Sequence, residues 1–287
     1  MLTIVRLTLL ELLRRRLVHA MLVLTVLALA LTTWGFSQLS RFLRLLPGEG
    51  EFVDQVQVGL IASQLLIAVL FMFSFVIALS AVFVAAPAVA GDLESGIAHA
   101  ILARPIGRGA YLVGRWLGLT IAVAGYTAAV AAAQLVAVAA TAGYLPPGPV
   151  VAVGLICLQE VAVATLALVL GTRLPALTAG VTAGVLFGVA WVAGVVGGIG
   201  RAVEDSTLGS LGPVSAIALP TDALWRGAVY ALEPPAIILG AAGAGPQIAA
   251  FPLLVTEPIP GSLAVWSVAW IGLVVGLGIV ALERRDV

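Results

Sequence analysis

The sequence predicts an all-α membrane protein with six transmembrane helices. The 287-residue chain is 62% hydrophobic and only 10% charged, whereas soluble domains are about half apolar and about one quarter charged. Its apolar residues also fall in runs of about twenty or more, which as helices cross a hydrocarbon core of about 30 Å. Because lipid cannot hydrogen-bond to free backbone groups, runs of this length favour helices. We predict spans at 17–36, 59–84, 113–142, 149–170, 175–200 and 262–282 in a single domain, 1–287.

The residues before the first span, 1–16, predict a helix that lies in the membrane surface. Leu2, Val5 and Leu9 fall near one apolar stripe, while Arg6 and Arg14 can reach water. This pattern is typical of interfacial helices. A positively charged anchor with no further role is the alternative.

The arginine distribution predicts the orientation of the spans. All 14 basic residues are Arg, and positively charged loops stay in the cytoplasm. With a cytoplasmic N-terminus, both termini are cytoplasmic, which requires an even number of spans. The predicted cytoplasmic set is Arg6, Arg14, Arg15, Arg16, Arg104, Arg108, Arg115, Arg173, Arg284 and Arg285, and the outer set is Arg41, Arg44, Arg201 and Arg226.

The segment 201–261 predicts outer-face helices before the last span. A stretch within it, 235–251, is apolar but short and carries Pro246 with several glycines. A seventh span there would also reverse the sidedness of the C-terminus. We therefore predict interfacial or re-entrant helices. One of them begins near Thr221 or Asp222 as its cap, with Trp225 at the headgroup level.

The segment between the second and third spans predicts a short cytoplasmic helix over 88–104. Asp92 and Glu94 suit the start of a helix and Arg104 its end, because of the helix dipole. Pro105 then stops it. An apolar stripe indicates a surface for docking a partner, although an interfacial loop helix explains the pattern as well. The stripe is formed by Leu93, Ile97 and Ile101.

Three motifs in this region resemble the signature of type-2 ABC transporter permeases. They are Glu94–Gly96, Leu102–Arg108 and Leu112–Gly118, and the ending Leu282–Asp286 is similar to that of the family too. The helix before the first span, the six spans and the large last outer loop also fit, so that the resemblance covers the whole chain. Arg115 stands where the family commonly has Lys.

The resemblance implies that 88–104 is a coupling helix docked on a separate nucleotide-binding ATPase subunit. Asp92 and Glu94 would contact the ATPase, Gly96 would permit close packing, and Arg104 with Arg108 would fix the turn or pair with the ATPase. The remaining implied contact residues are Leu93, Ile97 and Pro105. Without any Lys the chain cannot form a standard phosphate-binding loop, so ATP and Mg²⁺ are expected on the partner and no cofactor on this chain. A dimer with a second copy or a similar permease is also implied.

Within the spans, Gln159 and Glu160 are the most informative polar residues. A carboxylate near the middle of a span is costly unless it is paired, protonated or hydrated. Glu160 therefore predicts either a transport pathway or a hydrogen bond between helices. Glycines at four-residue spacing predict close helix packing, within the chain or at the dimer interface and substrate path. They are Gly180, Gly184 and Gly188.

These observations predict a permease subunit, most consistent with export across the cytoplasmic membrane. The alternatives are an ion- or proton-coupled carrier that uses Glu160, and a membrane assembly factor that transports nothing. The composition argues against nucleic-acid binding, and no residue cluster predicts a metal site or an enzyme. The substrate is not predictable from the sequence.

Overall fold

The computed structural model describes residues 2–14, 16–45, 51–96, 107–243, 251 and 253–285. Within these ranges the chain is helical and contains no strands. The helices are α1 (Leu2–Arg14), α2 (Arg16–Leu45), α3 (Glu51–Glu94), α4 (Arg108–Ala142), α5 (Pro149–Leu170), α6 (Ala176–Ala202), α7 (Ser206–Ala218), α8 (Thr221–Leu232), α9 (Pro235–Gly243) and α10 (Gly261–Glu283).

Six of these helices are long and apolar enough to cross a membrane, as the sequence predicts: α2, α3, α4, α5, α6 and α10. They form one bundle. In the most apolar stretch of α5, 56% of the residues are buried, against 11% in α2. Helix α5 is therefore the centre of the bundle, and α2 is a peripheral helix whose apolar side chains face outward.

The bundle has two ends, which we name after a residue at each. The Arg115 end contains the end of α3 and the starts of α4 and α6, and Arg108 there donates to the carbonyl oxygens that end α10. The opposite end, named the Glu233 end, contains the end of α8 and the start of α5, where the Gly148 amide donates to the Ala231 carbonyl over 2.9 Å.

Helix α1 packs on the first turns of α4 because two glycines leave room for it. A Cβ atom at Gly114 would lie 2.9 Å from the Ile4 side chain, and one at Gly118 would lie 2.8 Å from Cβ of Thr8. Real Cβ contacts are never this short. The Leu112–Gly118 motif therefore provides the surface that seats α1.

Helices α7 and α8 form a hairpin against the centre of the bundle. Helix α7 runs back along α6, where a Cβ at Gly197 would lie 2.5 Å from the backbone nitrogen of Gly212. Helix α8 then returns along α5 to the Glu233 end. The turn between α7 and α8 lies inside the bundle, and Trp270 of α10 donates to the Ala218 carbonyl there over 2.8 Å.

The predicted alternative of a seventh span finds no support in the described residues. Helix α9 has nine residues, a length of about 14 Å, which is less than half of a hydrocarbon core. The rest of that stretch, 244–250, lies outside the described residues.

The prediction of a separate helix over 88–104 is wrong in its first part. Helix α3 continues without a break from Glu51 to Glu94, so Asp92 and Glu94 end a long helix and do not begin a short one. Helix α3 also extends beyond the predicted second span, 59–84. The reason is that Asp92 finds a buried cationic partner, so the polar residue does not terminate the helix. Residues 97–106 lie outside the described part of the chain.

Candidate functional site

Arg115 is the centre of a polar cluster at the Arg115 end. Its Nη1 donates to Glu11 of α1 over 2.6 Å, and its Nη2 forms an ion pair with Asp92 of α3. Thr8 lies 3.5 Å from the same Nη1, and the guanidinium lies 5.9 Å from the centre of the Tyr111 ring. One guanidinium thus joins α1, α3 and α4.

Asp92 is buried inside this cluster, with 8% of its surface exposed. Besides Arg115 it accepts a hydrogen bond from the Tyr111 hydroxyl. The Asp92 carboxylate is therefore paired within the chain, and its contact with a separate ATPase stays a prediction. Sequence periodicity could not show this, because the partner is 23 residues away.

The other predicted coupling residues in the described part of the chain also contact the bundle. The Glu94 carboxylate accepts from the Ala176 amide over 2.8 Å at the start of α6. Leu93 is half-buried and packs on the apolar core. Arg108 donates to the carbonyls that end α10, and its predicted role at the turn stays a prediction. Ile97, Arg104 and Pro105 lie outside the described residues.

Gly96 is exposed and has a φ of +75°. A Cβ there would meet nothing within 4 Å, so close packing within this chain does not require the glycine. The glycine is required by its left-handed backbone conformation, which commonly follows the last turn of a helix and which glycine adopts without strain. Gly96 therefore ends α3.

The second polar region lies in the middle of the bundle, around Glu160. Its side chain is fully buried, and Oε1 accepts from the Ser74 hydroxyl of α3 over 2.9 Å and from Gln159 over 3.2 Å. Gln159 also donates to the Ser74 oxygen over 2.7 Å. Of the two predicted roles, the hydrogen bond between helices is confirmed. A transport role stays a prediction.

A narrow cleft adjoins these polar residues. Five aromatic side chains line it, from α3, α6 and α8: Phe71, Phe75, Phe187, Trp191 and Trp225. The other lining residues are Ser74, Gln159, Thr221 and Asp222. We call this space the aromatic cleft. Its volume is about 10 Å³, which is room for no more than about one water molecule.

Several buried polar atoms at or next to the aromatic cleft have no hydrogen-bond partner among the described residues. Two of them lie on α5, Gln159 Oε1 in the lining and Glu160 Oε2 next to it, and two lie on α8, Thr221 Oγ1 and Trp225 Nε1. Buried polar atoms are rarely left unpaired, because each costs about 1–3 kcal/mol. Groups left in this state beside so small a space indicate a place for a water molecule.

The start of α8 is buried inside the bundle, whereas its sequence predicts an exposed helix at the headgroup level. Trp225 is 3% exposed, and its ring centre lies 5.4 Å from that of Phe71. Neither Thr221 nor Asp222 caps the helix, because the capping residue is Pro220 and no side chain bonds there. The half-buried Asp222 carboxylate instead packs on Gly194 of α6. The turn between α7 and α8 at Pro220 brings these residues into the bundle.

The predicted glycine stripe packs less closely than expected. Cβ atoms at Gly180 and Gly184 would lie 3.6 and 3.7 Å from side chains of α3, which is ordinary contact, and one at Gly188 would meet nothing within 4 Å. The close approach occurs further along α6, where Gly194 faces Asp222 and Gly197 faces α7. Whether the predicted stripe meets a second subunit stays a prediction.

Glu233 is a buried carboxylate at the Glu233 end, outside the six long helices. It is fully buried and accepts from the Val255 amide at 3.2 Å. Burial raises its pKa from 4.5 to about 7, and the hydrogen bond from Val255 opposes this shift. The side chain thus holds the segment before α10 against the end of α8.

No known protein-family model matches this chain. No curated protein sequence matches it either. The described residues contain no group of three or more His, Cys, Asp and Glu side chains able to hold a metal ion. The functional conclusion therefore rests on the sequence motifs and on the geometry of the two polar regions.

Sequence reasoning identified Gln159 and Glu160 but missed the residues that complete the aromatic cleft. Ser74, Thr221 and Asp222 come from two other helices. A signal was present in the sequence, because Phe71 with Phe75 and Phe187 with Trp191 are aromatic pairs at four-residue spacing on two spans. Such pairs share one helix face.

Proposed function

We propose that this chain is the membrane subunit of an ATP-driven transporter, similar to type-2 ABC permeases, with ATP hydrolysed by a separate subunit. The observation that carries the proposal is the Arg115 cluster. It contains Asp92, which belongs to 88–104, the segment that the family resemblance assigns to the ATPase contact.

The contacts around this segment extend to five helices. Arg115 joins α1, α3 and α4, Glu94 binds the start of α6, and Arg108 binds the end of α10. A displacement of 88–104 by a moving ATPase would therefore act on most of the bundle at once. On this proposal the ATPase contacts the part of this segment that begins at Glu94, because Asp92 is buried and Glu94 is exposed.

The hairpin of α7 and α8 supports the same proposal. Helix α8 is about 18 Å long at 1.5 Å per residue, and it runs along α5 from the Glu233 end to the level of Gln159. We propose that it is re-entrant, entering the outer half of the membrane. Its start then lies near mid-membrane, beside a polar cleft, where transporters commonly bind substrates.

We further propose that the Arg115 end faces the cytoplasm, that α1 lies in the membrane surface, and that the subunit works as a dimer in the cytoplasmic membrane. The exposed apolar faces of α2 and α6 are available to lipid and to a second subunit. Export is the direction that the family resemblance favours.

Purification from native membranes in mild detergent tests the partner. We expect an ATP-hydrolysing subunit with a phosphate-binding loop to accompany the chain. A Ser95→Cys variant in a Cys157→Ser background should lose this subunit after reaction with a bulky maleimide. The matched control is Ser206→Cys, exposed at the opposite end, which should keep it. If no such subunit accompanies the unmodified chain, the proposal is wrong.

Glu160 favours a second candidate, a carrier driven by protons or ions. The fully buried carboxylate has one unpartnered oxygen near the cleft, as a coupling group requires. Vesicles separate the two candidates. Transport that continues without ATP and stops when the proton gradient is collapsed would favour the carrier, whereas ATP dependence favours the permease.

A further inference from the structure

We propose that the outer face of α1 docks on anionic phospholipid headgroups, and that this contact stabilises the Arg115 cluster. The inference rests on the part of the proposed function that places α1 in the membrane surface, and it adds the chemical class of lipid that α1 recognises. It depends neither on the ATPase nor on a transported substrate.

Helix α1 crosses α4 and does not run along it. Ile4 lies against Gly114, and Glu11 binds Arg115. Two contacts that are about 10 Å apart along α1 therefore meet neighbouring positions of α4. Because α4 is one of the six long helices, a helix that crosses it at a single level lies close to the plane of the membrane.

The two faces of α1 have different surroundings. The inner face packs on the bundle through Ile4, Thr8 and Leu12. The outer face carries four leucines that are between 42% and 86% exposed: Leu2, Leu7, Leu10 and Leu13. Leucines exposed on a helix at the membrane surface insert between lipid chains. The outer face of α1 therefore suits a lipid and not a water-soluble anion.

The charges of α1 favour anionic lipid over neutral lipid. Arg6 and Arg14 are exposed, and so is Arg16 at the start of α2. The one carboxylate among residues 2–16 is Glu11, whose charge is balanced by Arg115 at 2.6 Å. An arginine can lay its stem along apolar surface and hold its charge in the headgroup layer. Each arginine near an anionic surface strengthens the attraction roughly fivefold.

A lipid bound to the outer face acts on the Arg115 cluster through Glu11. The Glu11 carboxylate binds the same guanidinium that pairs with the buried Asp92. Lipid that holds α1 in the membrane surface therefore holds Glu11 against Arg115. We expect anionic lipid to stabilise this end of the bundle in addition to binding there.

Native mass spectrometry of the full chain in detergent micelles tests the proposal. The probe is phosphatidylglycerol, and the control is phosphatidylcholine with the same acyl chains. We expect phosphatidylglycerol to bind at least about tenfold tighter, and Arg6→Gln combined with Arg14→Gln to lower this preference by about tenfold or more. The matched control is Arg173→Gln combined with Arg284→Gln, which removes two exposed arginines at the same end outside α1 and should leave the preference within about twofold.

Three further measurements separate a lipid site on α1 from a general attraction. Arg6→Lys combined with Arg14→Lys keeps the charge and should keep the preference. Glycerol phosphate, which has the charge without acyl chains, should not displace the lipid at equal concentration. In nanodiscs, phosphatidylglycerol should raise the melting temperature of the wild type by a few degrees, and should raise that of the Arg6→Gln and Arg14→Gln double variant less.

Equal binding of the two lipids would overturn the proposal. So would an equal loss in the control pair, displacement by glycerol phosphate, or a melting temperature that does not depend on the lipid. If the double variant does not fold, the single variants Arg6→Gln and Arg14→Gln decide, each with an expected loss of about fivefold. None of these measurements involves the ATPase, so failure of this inference is distinguishable from failure of the proposed function.

Discussion

At the residue scale, Arg115 shows how a single side chain can organise one end of the bundle. Its two terminal nitrogens bind different carboxylates, Glu11 and Asp92. The flat guanidinium group suits this arrangement, because its donors point in fixed directions. A lysine offers one nitrogen on a flexible stem, so it would keep the charge and lose the two-sided geometry.

We predict that Arg115→Ala destabilises the protein by about 3–5 kcal/mol, because it leaves buried Asp92 without its cationic partner. Arg115→Lys should lie between this variant and the wild type. Thermal unfolding in nanodiscs measures both. The control is Arg173→Ala, an exposed arginine at the same end, whose effect should stay within about 0.5 kcal/mol. An Arg115→Ala variant as stable as this control would contradict the role assigned to the cluster.

Glu233 gives a prediction about pH. Burial raises the pKa of this carboxyl from 4.5 to about 7, so between these values the folded state binds the proton more tightly than the unfolded state does. The stabilisation is therefore complete below about pH 4.5 and is lost as the pH rises through about 7. The melting temperature should fall by a few degrees over this window.

We expect Glu233→Gln to remove most of that fall, because the amide resembles the protonated acid at every pH. Melting temperatures between about pH 5 and about pH 8 check this. Glu257→Gln changes an exposed carboxyl in the neighbouring segment and should keep the wild-type slope. If the slope of Glu233→Gln equals that of the wild type, Glu233 does not titrate in this range.

At the scale of elements, the structure depends on where glycines let helices approach. Gly114 and Gly118 seat α1, and Gly197 brings α6 and α7 together. In lipid the hydrophobic effect does not drive helices together, so the close packing that small residues permit has a large effect. The hairpin of α7 and α8 reaches the centre of the bundle because of this close contact.

We predict that Gly197→Ala destabilises the hairpin by about 1–3 kcal/mol, because its Cβ would lie 2.5 Å from the backbone of Gly212 and one helix would have to move. Gly188→Ala is the matched control on the same helix. No atom lies within 4 Å of its Cβ, so it should be neutral or up to about 1 kcal/mol more stable. Thermal unfolding of both variants gives the comparison, and equal effects would refute the assigned contact.

At the scale of the whole molecule, the starts and ends of the long helices alternate between the two ends. The arginine distribution predicts that the Arg115 end is cytoplasmic. The single cysteine, Cys157, makes this measurable. In a Cys157→Ser background, an impermeant maleimide added to intact cells should label Ser206→Cys and spare Ser95→Cys. The reverse pattern would invert the topology and remove the basis for the ATPase contact.

Much of the fold could be predicted from the sequence, and less of the site could. The six long helices were recoverable because their apolar length is a local property. The end of α3 was not recoverable, because an acidic residue such as Asp92 is typical of a helix start. Local sequence does not show that Arg115 neutralises it. Likewise Trp225 suits a membrane surface by its residue type, and only the turn at Pro220 places it beside Phe71.

The sequence by itself determined the class of protein, the six long apolar helices and the presence of a carboxylate in the middle of one of them. The reason is that the energy of placing a side chain in lipid depends mainly on that side chain and its near neighbours. The tertiary structure alone decided that Asp92 and Glu94 bind within the chain, and that Gln159 and Asp222 come together at an aromatic cleft. These outcomes depend on pairs of residues up to about one hundred positions apart, which local patterns in a chain do not record.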